Sequence, residues 1–91
     1  MSLVSIIIPY YKKRFYIAEA INSAINQTYR KLEIIIIYDD PGNSDLYYLK
    51  QISKKDRRIK LIINNINQGA GNSRNIGINE SRGEYIAFLD S

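Results

Sequence analysis

Residues 31–42, KLEIIIIYDDPG, decide how the chain is read. Ile34, Ile35, Ile36 and Ile37 form an unbroken β-branched run, and Asp39-Asp40-Pro41-Gly42 stops it. β-Branched side chains are stiff at their first torsion and suit a pleated surface. The run is apolar at both odd and even positions and too short for an ordinary helix. It therefore reads as a strand covered on both faces. Its end delivers two carboxylates directly into a turn.

Outward from that strand the same pattern recurs. Residues 4–8 form an apolar run stopped by Pro9. Residues 59–63 form another, interrupted only by Lys60 and stopped by Asn64-Asn65. Residues 85–89 form the last, and all of these are predicted to be strands buried on both faces. Between them the period changes. Ile17, Ala20, Ile21, Ala24 and Ile25 fall on one stripe of a helix over 15–27. Ser44 or Asp45 can cap a second helix ending near Ser53, with Leu46, Leu49 and Ile52 inward. A third helix over 70–81 is weaker, because Gly71 and Gly77 each cost about 1 kcal/mol against alanine. Gly83 is predicted to end it and release the last strand. The order β-α-β-α-β-α-β implies an α/β fold with a mainly parallel four-stranded sheet and right-handed crossovers. Residues 1–91 read as a single domain, without internal repeat, linker or low-complexity tract.

Composition narrows the chemistry. With 45% hydrophobic and 24% charged residues and a mean hydropathy of −0.29, the expectation is a soluble globular domain. No apolar run approaches the ~20 residues of a membrane span, and the first residues do not resemble a signal peptide. A cytoplasmic protein is expected. The chain has no cysteine and no histidine, so disulfides, thiolate zinc sites and a histidine base are excluded. A metal would have to sit on carboxylates, which suits Mg²⁺ or Mn²⁺. The net charge is +4, with local clusters at Lys12-Lys13-Arg14 and at Lys54-Lys55 through Arg57-Arg58. These suit solvated loops, or attraction to an anionic membrane surface or a polyphosphate. They carry no nucleic-acid-binding motif.

The polar residues gather at the carboxyl ends of the expected strands. Pro9-Tyr10-Tyr11 follows the first, Asp39-Asp40 the second, Asn64-Asn65 and Asn67-Gln68-Gly69 the third, Asp90-Ser91 the fourth. Ligands of open α/β sheets bind along that rim. No glycine-rich phosphate loop follows the first strand. A tyrosine ring can stack on a base, a carboxylate can accept from a base N–H or a ribose hydroxyl, and a rim aspartate can hold a cation against a diphosphate. Each residue also has a plainer role: Pro9 as a strand end, Tyr11 as a packing ring, the acidic pair as a turn, Arg74 as a surface ion pair, Gly69 and Gly71 as loop glycines. A receiver-like signalling domain fits poorly, because its acidic pair follows the first strand.

Four stretches, VSIIIPYYKK, INQTYRKLEIIIIYDD, NNINQGAGNSRNIGI and RGEYIAFLDS, together resemble the nucleotide-sugar-binding half of family 2 glycosyltransferases of the GT-A fold. The resemblance covers nearly the whole chain. It implies a strand order 3-2-1-4 and a nucleotide site. Pro9 and Tyr11 match the family's Pro-x-Tyr, whose tyrosine lies against the base. Asp39-Asp40 looks like the family's acidic pair, one of which hydrogen-bonds the base. This chain departs there, with Tyr38 as an extra residue and Pro41-Gly42-Asn43-Ser44 in place of Gly-Ser-Thr. An ungapped count puts Asp39 at the base and a one-residue slip puts Asp40 there. Asn67-Gln68-Gly69 through Arg74-Asn75 matches Asn-x-Gly…Ala-Arg-Asn, with Ser73 for alanine. It implies that Gly69 and Arg74 lie near the nucleotide or that Arg74 braces the acidic rim.

Asp90 matches the first aspartate of the Asp-x-Asp motif, which faces ribose and metal, Ser91 its middle residue, and the second aspartate would be the residue after Ser91. The resemblance thus implies transfer of a hexosyl or related sugar from a nucleotide-diphosphate sugar, with UDP expected, to a glycan or lipid-linked acceptor. Inversion and Mg²⁺ or Mn²⁺ in the full-length enzyme are implied with it. The 91 residues are expected to form an amino-terminal donor-binding fragment without transfer activity of its own. The setting expected is bacterial polysaccharide biosynthesis, in the cytoplasm or at the inner membrane face with peripheral membrane contact. The fourth strand would be a bare edge prone to self-association. The alternative is a non-catalytic nucleotide-binding or interaction module.

Overall fold

A computed structural model of the chain describes residues 2–11, 14–27, 29–40 and 45–89. Among them the elements run β1 (Val4–Tyr10), α1 (Arg14–Ile25), β2 (Leu32–Tyr38), α2 (Asp45–Ser53), β3 (Ile59–Ile63), α3 (Gly69–Glu80) and β4 (Tyr85–Phe88). The sheet has the order β3-β2-β1-β4 and every pairing is parallel, as the alternating pattern and the resemblance imply. The register is set by Val4↔Leu32 and Tyr10↔Tyr38 between β1 and β2, Val4↔Tyr85 between β1 and β4, and Ile34↔Ile59 between β2 and β3.

Strand alternation divides the core into two layers. Ile6, Ile8, Tyr10, Ile34, Ile36 and Tyr38 pack with Ile17, Ile21 and Ala24 of α1 and Leu49 and Ile52 of α2. Ile7, Ile35 and Ile37 face the other way and pack with Ile62 and with Ile76 of α3. The expected helix stripes are the ones buried. The central strands β1 and β2 are covered on both faces as expected, but β3 and β4 are not. Lys60 and Ile63 are exposed, and all four residues of β4 are exposed. These are the sheet's two edges, so the helices that sandwich the centre reach them incompletely.

Three local expectations are corrected. Pro9 does not end β1, which continues through Tyr10. The carbonyl of Ile7 accepts from Leu89 on the β4 side and that of Tyr10 accepts from Asp39 on the β2 side. Alternation therefore turns the Pro9 nitrogen toward β4, beyond the last pair Ile7↔Phe88, where no ladder donor is required. Gly83 does not end α3. The helix closes at Ser81, which is extended and donates its N–H to Ile78. Gly83 instead lies against β1, where a Cβ would stand 2.5 Å from Ser5 Oγ and 2.7 Å from Ser5 N. Gly77 is more than a weak helix former. A Cβ there would lie 2.5 Å from Ile7 Cγ2, so its absence lets α3 seat directly on β1.

At the amino ends of the strands a polar staple fixes the last crossover. Ser5 Oγ donates to Glu33 Oε2 at 2.5 Å, the Arg82 N–H donates to the same oxygen, and the Gly83 N–H donates to Ser5 Oγ at 2.9 Å. Among the described residues no helix is long and apolar enough to cross a membrane.

Candidate functional site

The opposite, carboxyl end of the sheet is open. Beyond the last β4 pair, the end of β1 and the first turns of α3 bound a cavity of about 320 Å³. Pro9 and Tyr11 line it from the β1 side, Asp39 from the end of β2, and Asn67, Gly69, Ala70, Ser73 and Arg74 from the β3–α3 connection and α3. Tyr11, 48% exposed, contributes an accessible ring. Gly69 starts α3 with φ +83°, a left-handed conformation that glycine adopts without steric cost. Small residues at 70 and 73 leave room beside the Arg74 side chain.

Asp39 is buried and its carboxylate is fully engaged. Oδ1 accepts from Asn64 Nδ2 at 2.8 Å and from the Gln68 N–H at 2.7 Å. Oδ2 accepts from Asn67 Nδ2 at 3.1 Å and from the Gly69 N–H at 2.9 Å. Asn67 Nδ2 also donates to the Asp39 carbonyl at 2.8 Å. Gln68, the residue before α3, makes no side-chain cap of its own. Asp39 therefore satisfies the first amides of α3 from a neighbouring strand, placing negative charge at a helix N-terminus.

Asp40 faces the other layer. It is buried, and its Oδ2 has no hydrogen-bond partner among the described residues. Nearby, the Tyr10 and Tyr38 rings stack with centroids 5.5 Å apart and planes 11° from parallel. The Tyr10 hydroxyl donates to Asp45 Oδ2. Burial, then the hydrogen bond and charge of Asp45, push the Tyr10 phenol far above the ordinary tyrosine range. Burial and the charges of Asp40 and Asp45 raise Tyr38 as well.

Of the residues singled out in the sequence, Pro9, Tyr11, Asp39, Gly69 and Arg74 share one cavity, and Asp40 is not part of its lining. Asp90 lies outside the described residues, as do Lys12, Lys13 and residues 41–44. Asn67, Ala70 and Ser73 line the cavity without having been assigned a role. The run of amides after β3 was the available signal for Asn67. Among the described residues no three carboxylates converge. Asp39 is saturated by N–H donors and Asp40 faces away, so these two do not form a cation site.

A parallel sheet of this order with an acidic, aromatic rim is the architecture of the GT-A nucleotide-sugar enzymes. The chain belongs to glycosyl transferase family 2, whose model matches residues 5–91. It is 41% identical over 91 residues to an uncharacterized glycosyltransferase of Haemophilus influenzae, covering 36% of that protein. It is 46% identical to WfaP of Escherichia coli, a UDP-Glc:alpha-D-GlcNAc-diphosphoundecaprenol beta-1,3-glucosyltransferase, again covering 36% of it. The crystal structure of S. aureus TarS 1-349 in complex with UDP matches with a TM-score of 0.82 at 26% identity, over 98% of this chain and 27% of that one. The chain spans about a third of the length of these two curated relatives.

Proposed function

We propose that the cavity between β1 and α3 receives the nucleoside diphosphate of a sugar nucleotide, and that the chain supplies the donor site of a sugar-transferring enzyme. The observation that carries this reading is the convergence of Pro9, Tyr11, Asp39, Gly69 and Arg74 on one cavity. Its volume lies in the range of small-ligand sites. UDP in the TarS complex and UDP-Glc in the name of WfaP support a uridine nucleotide. The Tyr11 ring packs against the base, and the Arg74 guanidinium offers positive charge to the diphosphate. Gly69 lets the backbone approach closely. Asp90, with Mg²⁺ or Mn²⁺, is proposed to complete the acidic rim. The acceptor proposed is a glycan or a lipid-linked sugar, which would bring the enzyme to the cytoplasmic membrane face.

Calorimetric titration with UDP tests the reading. The chain is expected to bind UDP saturably, and Tyr11→Ala to weaken binding about tenfold, in line with base–aromatic stacking. Arg74→Ala is expected to weaken UDP more than uridine. No saturable binding at millimolar UDP, or wild-type affinity in both variants, would overturn it.

A further inference from the structure

We infer that Asp39 is a positioning residue: its carboxylate meets no ligand atom and instead fixes residues 64–69 and the start of α3 as one wall of the cavity. This rests on the reading of the cavity as a nucleotide site.

A carboxylate offers about four acceptor positions. Those of Asp39 are taken by Asn64, Asn67 and the Gln68 and Gly69 amides, at 2.7–3.1 Å. The group is 3% exposed. A base N–H would have to displace one of these donors, leaving a buried polar group unsatisfied, which is costly. The donors also come from one continuous segment. It leaves β3 at Asn64, whose own N–H donates to Tyr38 at 2.9 Å, and turns through the left-handed Gly69 into α3. Asn64 further approaches Ser73 Oγ at 3.5 Å. Asp39 thus ties the ends of β2 and β3 to the helix that carries Ala70, Ser73 and Arg74 into the cavity. Where Arg74 stands is set by a side chain on a different element.

Asn64 gives the means of separating positioning from contact. It touches Asp39 but does not line the cavity. In Asp39→Asn an acceptor oxygen becomes a donor facing other donors, and in Asn64→Leu one donor is removed at similar volume. Amide hydrogen exchange at Gln68 and Gly69 is expected to speed up at least tenfold in both variants. UDP and CDP affinities are expected to fall by a common factor of about 5–30 in each, leaving their ratio unchanged, and the double variant to lose less than the product of the two factors. Wild-type affinity in Asn64→Leu, beside a changed UDP/CDP ratio in Asp39→Asn, would overturn the inference and make Asp39 a reader of the base. Failure of the wild-type chain to bind any nucleotide would overturn the proposed function alone. The exchange measurement then still decides the clamp, since unchanged Gln68 and Gly69 amides in Asp39→Asn would refute it. Should the variants not fold, the wild-type chain serves. Protection of both amides that persists with UDP bound supports the inference, and loss of it on adding UDP refutes it.

Discussion

Tyr10 illustrates how one atom can set a pH limit. Its phenol is buried, stacked on Tyr38 and donating to Asp45, so the neutral form is favoured in the folded chain. A group whose folded pKa is raised gives stability that is complete below its unfolded pKa, about 10 for tyrosine. That stability is lost as pH rises toward the folded value. The chain should therefore lose stability steeply above pH of about 10. Tyr10→Phe should cost about 1 kcal/mol at neutral pH, for the lost hydrogen bond, and should flatten the alkaline loss, with Tyr38 supplying what remains. Thermal melts across the alkaline range test this, and parallel pH profiles for the two proteins would refute it. The two aspartates teach a related lesson. Their adjacency was plain in the sequence, but their division between opposite layers was not. It follows from the pairing Tyr10↔Tyr38, which extends two-residue alternation past the end of the strands. Counting residues in one chain cannot supply that register when an extra Tyr38 precedes the pair.

Among the elements, α3 was the hardest to read, and for a physical reason. Its glycines look like defects on a propensity scale, yet they act differently. Gly77 lies against the fully buried Ile7, whereas a Cβ at Gly71 would meet nothing within 4 Å. Gly71→Ala should then stabilise the chain by up to about 1 kcal/mol through helix propensity. Gly77→Ala should destabilise it by about 1–2 kcal/mol, because overpacking against Ile7 outweighs the same gain. Urea denaturation distinguishes them, and equal effects would show that α3 is not seated as described. The isoleucine run of β2 was legible because no polar residue interrupts it and both faces are in fact covered. β4 has an equally apolar sequence, but composition does not reveal whether a helix lies over it.

The whole molecule is a sheet with a well-covered centre and two unequal edges. On β3, Lys60 is exposed and paired with Glu80 at 3.1 Å, and a charge of that kind discourages strand addition. On β4, Tyr85 is 64% exposed and Ile86 and Phe88 are about 40% exposed, without a charged residue in the strand. The 91-residue chain is expected to self-associate through this edge, with an apparent mass that rises with concentration in light scattering. Lysine in place of Ile86 should suppress it, and a concentration-independent monomer mass for the wild type at ~100 μM would count against it.

The strand order also has a consequence in time. Residue 4 pairs with residue 32 on one side and with residue 85 on the other. During synthesis β1, α1, β2, α2 and β3 can collapse as soon as they leave the ribosome, while one edge of β1 stands open. At about 5–20 residues per second, that edge waits for seconds until α3, the Gly83 turn and β4 arrive. Of these four strands the first to be made is the last to be closed, and a nascent chain halted in that interval would present Ile6 and Ile7 to any passing strand.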